Sequence, residues 1–325
     1  MLSESSPPLQ LDLPSRDVAR RLAVVIHNPA AGSGPTKQRV EFDAVRERFE
    51  THGWQCGFLA TRFQGDGAEA ARLALAAGAD MVVAMGGDGT VNEVVQALAY
   101  QPVPLGVIPT GTINILAREL NLPLDYLKTI DALVTGEPRT IDLGRANGRY
   151  FACMIGLGYD GDATLNLLPQ LKAWSGPFAY CVAAFQTYTR HKAVRARITL
   201  KMGHKTRKLR RLVYMMVVSN GGLYAGGVLK FTPEANMADG ILDVCVIRSG
   251  RWYRALLHGL LTLLGQLRQV SDVEFFQATS VHFKSSRPFP YQLDGDPAGH
   301  SPVTVEIAAG ALRVMAPPLV APASD

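Results

Sequence analysis

Residues 85–93 read Met-Gly-Gly-Asp-Gly-Thr-Val-Asn-Glu, and they put three glycines and a carboxylate between two kinds of apolar pattern. Met81 to Met85 has the length and valine content of a buried strand. Val91, Val94, Val95 and Leu98 then recur at helical spacing. Gly86, Gly87 and Gly89 remove the side chains that would keep a bulky anion off the backbone. A glycine turn ahead of a helix start offers N–H groups without intrahelical partners and a partial positive charge, which suits phosphate. Asp88 sits inside the turn, where a carboxylate is repelled by phosphate unless it holds a cation or a water bound to one. A nucleotide carrying Mg2+ meets both conditions. Thr90 and Asn92 add a hydroxyl and an amide to the first helical turn, where capping is their ordinary use. The string is neither the G-x-x-x-x-G-K-[ST] phosphate loop nor the G-x-G-x-x-G dinucleotide fingerprint. Glycine also serves strand-to-helix turns for packing alone.

The same logic recurs at Gly111-Thr112, where small residues follow Leu105 to Ile108 and precede a helical pattern from Ile113 to Leu120. A further turn, at Asn28-Pro29, follows the strand pattern Leu22 to Ile26. The first 120 or so residues alternate such units. A helix is expected from about Lys37 to Thr51, a strand over Gln55 to Ala60, and an alanine-rich helix over Gly67 to Ala77. Repeated β-α units imply a doubly wound parallel sheet with ligands at the carboxyl ends of its strands. Three phosphate-suited turns, at Asn28, Gly86 and Gly111, would therefore converge on one edge.

After Pro138 the texture changes. Strand patterns cover Ile141 to Arg145 and Tyr150 to Ile155 around Asn147-Gly148, then Val194 to Val218, Ile241 to Ile247, Val281 to Phe283 and Val303 to Ile307. Helical patterns cover Ala163 to Trp174 and Phe178 to Arg190. Short strands separated by Gly and Asn turns suggest an antiparallel sandwich. The expected division is a loose tail over 1–20, an α/β domain over 21–138, a β-rich domain over 139–317 and a second tail over 318–325.

Six ordered motifs together resemble the diacylglycerol kinase catalytic domain family, in its bacterial lipid kinase branch, which is similar to sphingosine and ceramide kinases. They are Asn28-Pro29-Ala30-Ala31-Gly32, Thr61 with Gly65-Asp66, Gly86 to Val94, Pro109 to Asn114, Asp239-Gly240, and Leu293-Asp294-Gly295-Asp296. The resemblance implies an ATP-dependent kinase with Mg2+, acting on a hydroxyl of diacylglycerol or a related lipid. It also implies an active site in the cleft between an α/β domain and a β-sandwich. Phosphoryl transfer needs a phosphate cradle, a cation and a base for the acceptor proton. By resemblance the cradle runs from Gly86 through Gly87, Asp88, Gly89, Thr90 and Val91 to Asn92. Asn28, Thr61, Gly111 and Thr112 add contacts. The base is assigned to Asp294 or Asp296, the family having Glu at the third position of its Asp-Gly-Glu. Asp-Gly is equally a type I′ hairpin pair. A second Mg2+ is implied at the Asp239 carboxylate with the carbonyls of Asn236 and Ile241, a ligand set that leaves room for waters. One departure is Ile115, where family members often carry Asp. The rival functions are an NAD kinase, which shares only the glycine turn, and a non-catalytic lipid-binding descendant of the kinases.

The remaining features bound the setting. The chain has 325 residues, 47% of them hydrophobic, enough for two domains. Four scattered cysteines without a C-x-x-C pair suit a reducing compartment. No signal peptide is visible, and no apolar stretch reaches the ~18 residues of a membrane span. The expected location is the cytoplasm, peripheral at the inner membrane face, with a homodimer as an additional expectation. A net charge of +5 suits anionic lipid or nucleotide. Lys201, Lys205, Arg207, Lys208, Arg210 and Arg211 form a basic hairpin, where edge protection and lipid docking are both open. No recognition motif points to nucleic acid. Trp174, Phe178, Tyr180, Phe185, Trp252, Tyr253 and the run from Ala255 are candidates for an acyl-chain opening, or for core.

Overall fold

The computed structural model describes residues 9, 11–15, 17–29, 40–165, 190–224, 231–232, 234–251, 254, 258, 261 and 267–318. They form two compact units, one of residues up to Ile141 together with those from Ala311, the other running from Asp142 to Gly310. The aromatic candidates at 174, 178, 180, 185, 252 and 253, most of the run from 255, and most of the two helical patterns of 163–190 lie outside the described residues.

In the first unit, β1 (Leu11–Asp12), β2 (Leu22–His27), β3 (Gln55–Ala60), β4 (Met81–Gly86) and β5 (Leu105–Pro109) make a sheet in the order β1-β3-β2-β4-β5. The last four run parallel, whereas β1 pairs antiparallel with β3. Leu11–Asp12 thus takes part in the sheet although it falls in the stretch expected to be a loose tail. β2 and β4 read as unbroken apolar runs because a parallel sheet is covered on both faces. The helices are α1 (Phe42–Thr51), α2 (Asp66–Ala76), α3 (Asp88–Leu98), α4 (Ile115–Glu119) and α5 (Tyr126–Val134). Four of them pack as two pairs, α1 with α5 and α2 with α3, while α4 lies against β5. The first pair is tied by Arg48, whose Nε and Nη2 donate to Asp131 at 2.6 and 2.5 Å. Helix α1 buries Val45 and Phe49 completely. A side chain of that size contributes about 1.5–3 kcal/mol when fully buried.

The second unit holds β6 (Glu137–Ala146, from Asp142 on), β7 (Arg149–Phe151), β8 (Met154–Gly158), β9 (Val194–Met202), β10 (Lys205–Val213), β11 (Met215–Ser219), β12 (Leu242–Ile247), β13 (Val273–Ala278), β14 (Ser280–Ser285), β15 (Pro290–Leu293), β16 (Asp296–His300) and the start of β17 (Val303–Ala316). One antiparallel sheet has the order β13-β12-β11-β8-β15-β16, and the other carries β17, β14, β9 and β10 side by side. Their facing residues share one core, with Phe151, Phe283, Ile198, Val244 and Leu293 among its members. β9 alternates buried and exposed residues because one of its faces meets solvent. Beyond Gly310, β17 rejoins the first unit, where Val314 pairs parallel with Leu105.

Cys56, Cys153 and Cys245 are buried and form no disulfide among the described residues. Burial pushes the Cys56 thiol up to about 12, which leaves it unreactive. Among the described residues, no helix is long and apolar enough to cross a membrane.

Candidate active site

The register of the parallel sheet brings the first unit's turns together. His27 pairs with Ala60 and with Met85, and Gly86 pairs with Pro109. Asn28, Thr61, Gly87 and Thr110 therefore follow directly on neighbouring strand ends along one edge. Gly87 precedes α3 in an extended conformation (φ −93°, ψ −172°), and no side chain caps the helix. The turns meet backbone to backbone. A methyl group on Gly111 would lie 2.4 Å from the Gly87 Cα, and one on Gly86 would lie 2.4 Å from the Thr90 Oγ1. Only glycine permits these approaches.

The polar side chains of this edge hold the backbone. Both Asp88 oxygens accept backbone N–H groups at the start of α4, from Asn114 at 3.1 Å and Ile115 at 2.7 Å. The sequence argument gave Asp88 a cation or a water bound to one; the fold supplies two amide donors as well, which orient the carboxylate in the turn. Ile115 acts through its N–H, which any residue but proline would provide. Asn114, in the left-handed region at φ 57°, accepts from the Gly111 N–H and donates to the Gly111 carbonyl, both at 3.0 Å. The Thr61 hydroxyl donates to the His27 carbonyl at 3.3 Å. Thr90 and Asn92 are buried, whereas Asn28 and Thr112 are exposed. Gly89 and Val91 lie in the first turn of α3.

One residue of the motif has a role that sequence reasoning missed. Glu93 accepts from the Gly65 N–H at 2.7 Å and the Gly67 N–H at 2.9 Å, and so caps α2 from a neighbouring helix. Beside it, Asp66 accepts from the Arg62 guanidinium, which holds its carboxyl below the usual carboxylate range.

In the second unit, Asp294 (φ 47°) and Gly295 (φ 92°) make the left-handed turn between β15 and β16. The two acids flanking the glycine differ. Asp294 is buried and accepts three backbone N–H groups, from Ala152 at 2.7 Å and from Cys153 and Met154 at 2.9 Å. It splints the break between β7 and β8. Asp296 keeps 23% of its side chain exposed, with the Arg149 guanidinium 3.9 Å away. A proton acceptor needs an accessible lone pair, and Asp296 meets that requirement better than Asp294.

A third acid, absent from the sequence reading, belongs to the same cluster. Asp160 follows β8 in Gly158-Tyr159-Asp160 and accepts from Gln292 Nε2 at 2.7 Å and from the Tyr224 hydroxyl. Gln292 in turn accepts from the Gly295 N–H at 2.6 Å, which links Asp160 to the middle of the Asp-Gly-Asp turn. Burial raises the Asp160 pKa, although the residue keeps some surface. The available signal was an Asp two residues after a glycine-ended strand, in the kind of connecting segment that carries function in other folds.

The loop 236–241 closes on itself. Asp239 accepts from the Ile241 N–H at 2.9 Å, and Asn236 accepts from the Ala238 N–H at 3.1 Å. Two residues on, Asp243 is 4% exposed, its Oδ2 has no hydrogen-bond partner among the described residues, and burial raises its pKa. A cation beside Asp239 would relieve that buried oxygen, so the donor set fits Mg2+. No cluster of three or more His, Cys, Asp or Glu side chains that could hold a metal occurs among the described residues.

A glycine-lined edge on a parallel sheet, with an acid-bearing turn on an antiparallel sandwich, is the layout of a two-domain phosphotransferase. The family model described as "Diacylglycerol kinase catalytic domain" matches residues 22–146, and "YegS C-terminal NAD kinase beta sandwich-like domain" matches 153–316. A diacylglycerol kinase of Staphylococcus epidermidis is 32% identical over 287 residues, covering 87% of this chain and 88% of that one. One of Bacillus subtilis is 30% identical over 284 residues, covering 86% and 91%. The crystal structure of a diacylglycerol kinase from Bacillus anthracis matches at a TM-score of 0.67 with 22% identity, covering 92% of this chain and 98% of that one. A second solved chain from that organism reaches 0.74 at 24% identity over the same shares. The chain belongs to the diacylglycerol kinase family.

Proposed function

We propose that the protein is an ATP-dependent lipid kinase that phosphorylates a hydroxyl of diacylglycerol or a related lipid at a membrane surface. The observation that carries the reading is the close backbone approach of Gly87 to Gly111 at the start of α3, a helix end that no side chain caps. Amides of Gly87 to Thr90 and of Thr112 receive the donor phosphates, with Gly111 giving the close approach and Asn28 and Thr61 shaping the same edge. Asp88 ties the α3 turn to the start of α4, Asn114 closes the Gly111 turn, and Glu93 holds the start of α2. Preorganised donors of this kind stabilise charge that develops during transfer.

Asp296 takes the proton of the acceptor hydroxyl as its oxygen bonds to the γ-phosphorus and the bond to the β-phosphate oxygen breaks. Arg149 steadies the Asp296 anion, and Asp294 fixes the turn. Asp160, linked through Gln292 to Gly295, orients the turn and contributes an acid of raised pKa beside it. Mg2+ with the nucleotide supplies charge neutralisation of the phosphates. A second Mg2+ would be held by Asp239 and the carbonyls of Asn236 and Ile241, with Asp243 behind them. Peripheral membrane contact and a homodimer belong to this reading. An NAD kinase is disfavoured by the match along both units to the diacylglycerol kinase family.

The test is transfer of radiolabelled phosphate from ATP to a lipid panel that includes diacylglycerol, a sphingoid base and, as a non-lipid, NAD. Labelled lipid is expected. Asp296→Asn should lower kcat by about 10²–10⁴-fold, with an unchanged thermal midpoint. Label in NAD alone, or in nothing, overturns the reading.

A further inference from the structure

The sheet carrying β9, β10 and β14 turns one face to the core and the other outward. On the outward face the register sets Arg210 opposite Arg197, and Arg197 opposite Lys284. The adjoining rows add Arg195 opposite Leu212 and Lys208 opposite Thr199. All five cations are exposed, and none has an ion-pair partner among the described residues. Like charges directly opposite on neighbouring strands are unfavourable. Edge protection explains charges on β10, the outermost strand, but not on β9 and β14, which are paired on both sides. Arg195, Arg197, Arg210 and Lys284 line an open groove of about 900 Å³ together with Ser285 and Leu212, and Leu212 is 51% exposed.

We propose that this face docks on the anionic phospholipid headgroups of a membrane. The proposal rests on the lipid-kinase reading and names the surface by which the protein meets the bilayer holding its acceptor. Three adjacent cations on a rigid sheet face suit an array of phosphates, which would relieve their mutual repulsion. Leu212 places an apolar group at the rim. Nucleic acid offers phosphates as well, but the outward rows of these three strands carry no Phe, Tyr or Trp on which bases could stack.

The experiment measures cosedimentation of the full chain with phosphatidylcholine vesicles, with and without an equal part of phosphatidylglycerol. Binding only to the mixed vesicles, weakened by added salt, is expected. The triple variant Arg197→Ala/Arg210→Ala/Lys284→Ala should bind them on the order of a hundredfold less tightly. Its thermal midpoint should be unchanged or higher, a direction that damage to the fold would not produce. Arg72→Ala/Lys128→Ala, on exposed helix positions of the first unit, should leave binding intact. Undiminished binding by the triple variant overturns the proposal. So does equal binding of the wild type to neutral vesicles, or displacement from vesicles by duplex DNA at matched ionic strength. Phosphorylation of diacylglycerol in neutral detergent micelles separates the two claims. The triple variant should retain it, whereas its absence from the wild type removes the kinase reading and leaves vesicle binding to be judged alone.

Discussion

The two units use their motifs in opposite ways. In the first, side chains hold backbone so that backbone amides can face a ligand: Asp88 grips α4, Glu93 grips α2 and Asn114 closes the Gly111 turn. In the second, backbone holds one side chain so that another can act. Three amides fix Asp294, and Asp296 is presented beyond it. An acid in a motif is therefore no guide to chemistry until its hydrogen bonds are known. Asp88 and Asp294 each hold backbone amides, and under the proposed reading Asp296, with Asp160 beside it, handles the proton.

The contrast is sharpest where a single atom decides it. Gly111→Ala places a methyl group 2.4 Å from the Gly87 Cα, and backbone cannot yield as a flexible side chain can. Displacing the cradle by an ångström should cost about 10²-fold in kcat/KM for ATP. Unaltered ATP kinetics in that variant would place the donor elsewhere. Asp294→Asn should act on stability first, because an amide cannot accept from all three N–H groups. A loss of about 2–4 kcal/mol in a urea titration is expected, with whatever folds retaining activity. A stable but inactive Asp294→Asn would reverse the roles of the two acids. Glu93→Gln keeps one acceptor and turns a donor toward the other amide, so about 1 kcal/mol is expected. That loss should fall on the first unit alone.

How much of this was legible depends on how local each signal was. Gln55–Ala60 could be read to the residue because its apolar content and flanks are contiguous. The glycine turns were legible for the same reason, as was the Asn147-Gly148 turn, whose φ values are 47° and 91°. Helix α5 was passed over although Asp125 caps it by accepting from the Lys128 N–H. The preceding Pro123 reads as a loop and masked the start. The roles of Glu93 and Asp294 were not legible, since their partners lie 28 and 142 residues away. The Asp294-Gly295 hairpin turn was legible, but the strand β16 after it escaped because Asp296-Pro-Ala-Gly-His has no strand periodicity. Its pairing to β15 is imposed by the sandwich.

The last consequence of the comparison is a sign. Asp66 in the first unit has a pKa held below 3.8 by Arg62, and Asp160 in the second has one raised above 3.8 by burial. For Asp66 the native state favours the anion. Its contribution is complete above 3.8 and is lost as pH falls through the lowered native value. For Asp160 the native state favours the protonated acid. Its contribution is complete below 3.8 and is lost as pH rises through the raised native value. Asp66→Asn should therefore flatten the acid limb of a plot of denaturant midpoint against pH, and Asp160→Asn should flatten the limb on the neutral side. Fluorescence-monitored urea titrations of both variants across that range are the measurement. If both substitutions flattened the same limb, the second unit would be stabilising its acid by charge as the first does. Asp160 would then be a buried anion held by Tyr224 and Gln292 rather than an acid poised beside the Asp-Gly-Asp turn.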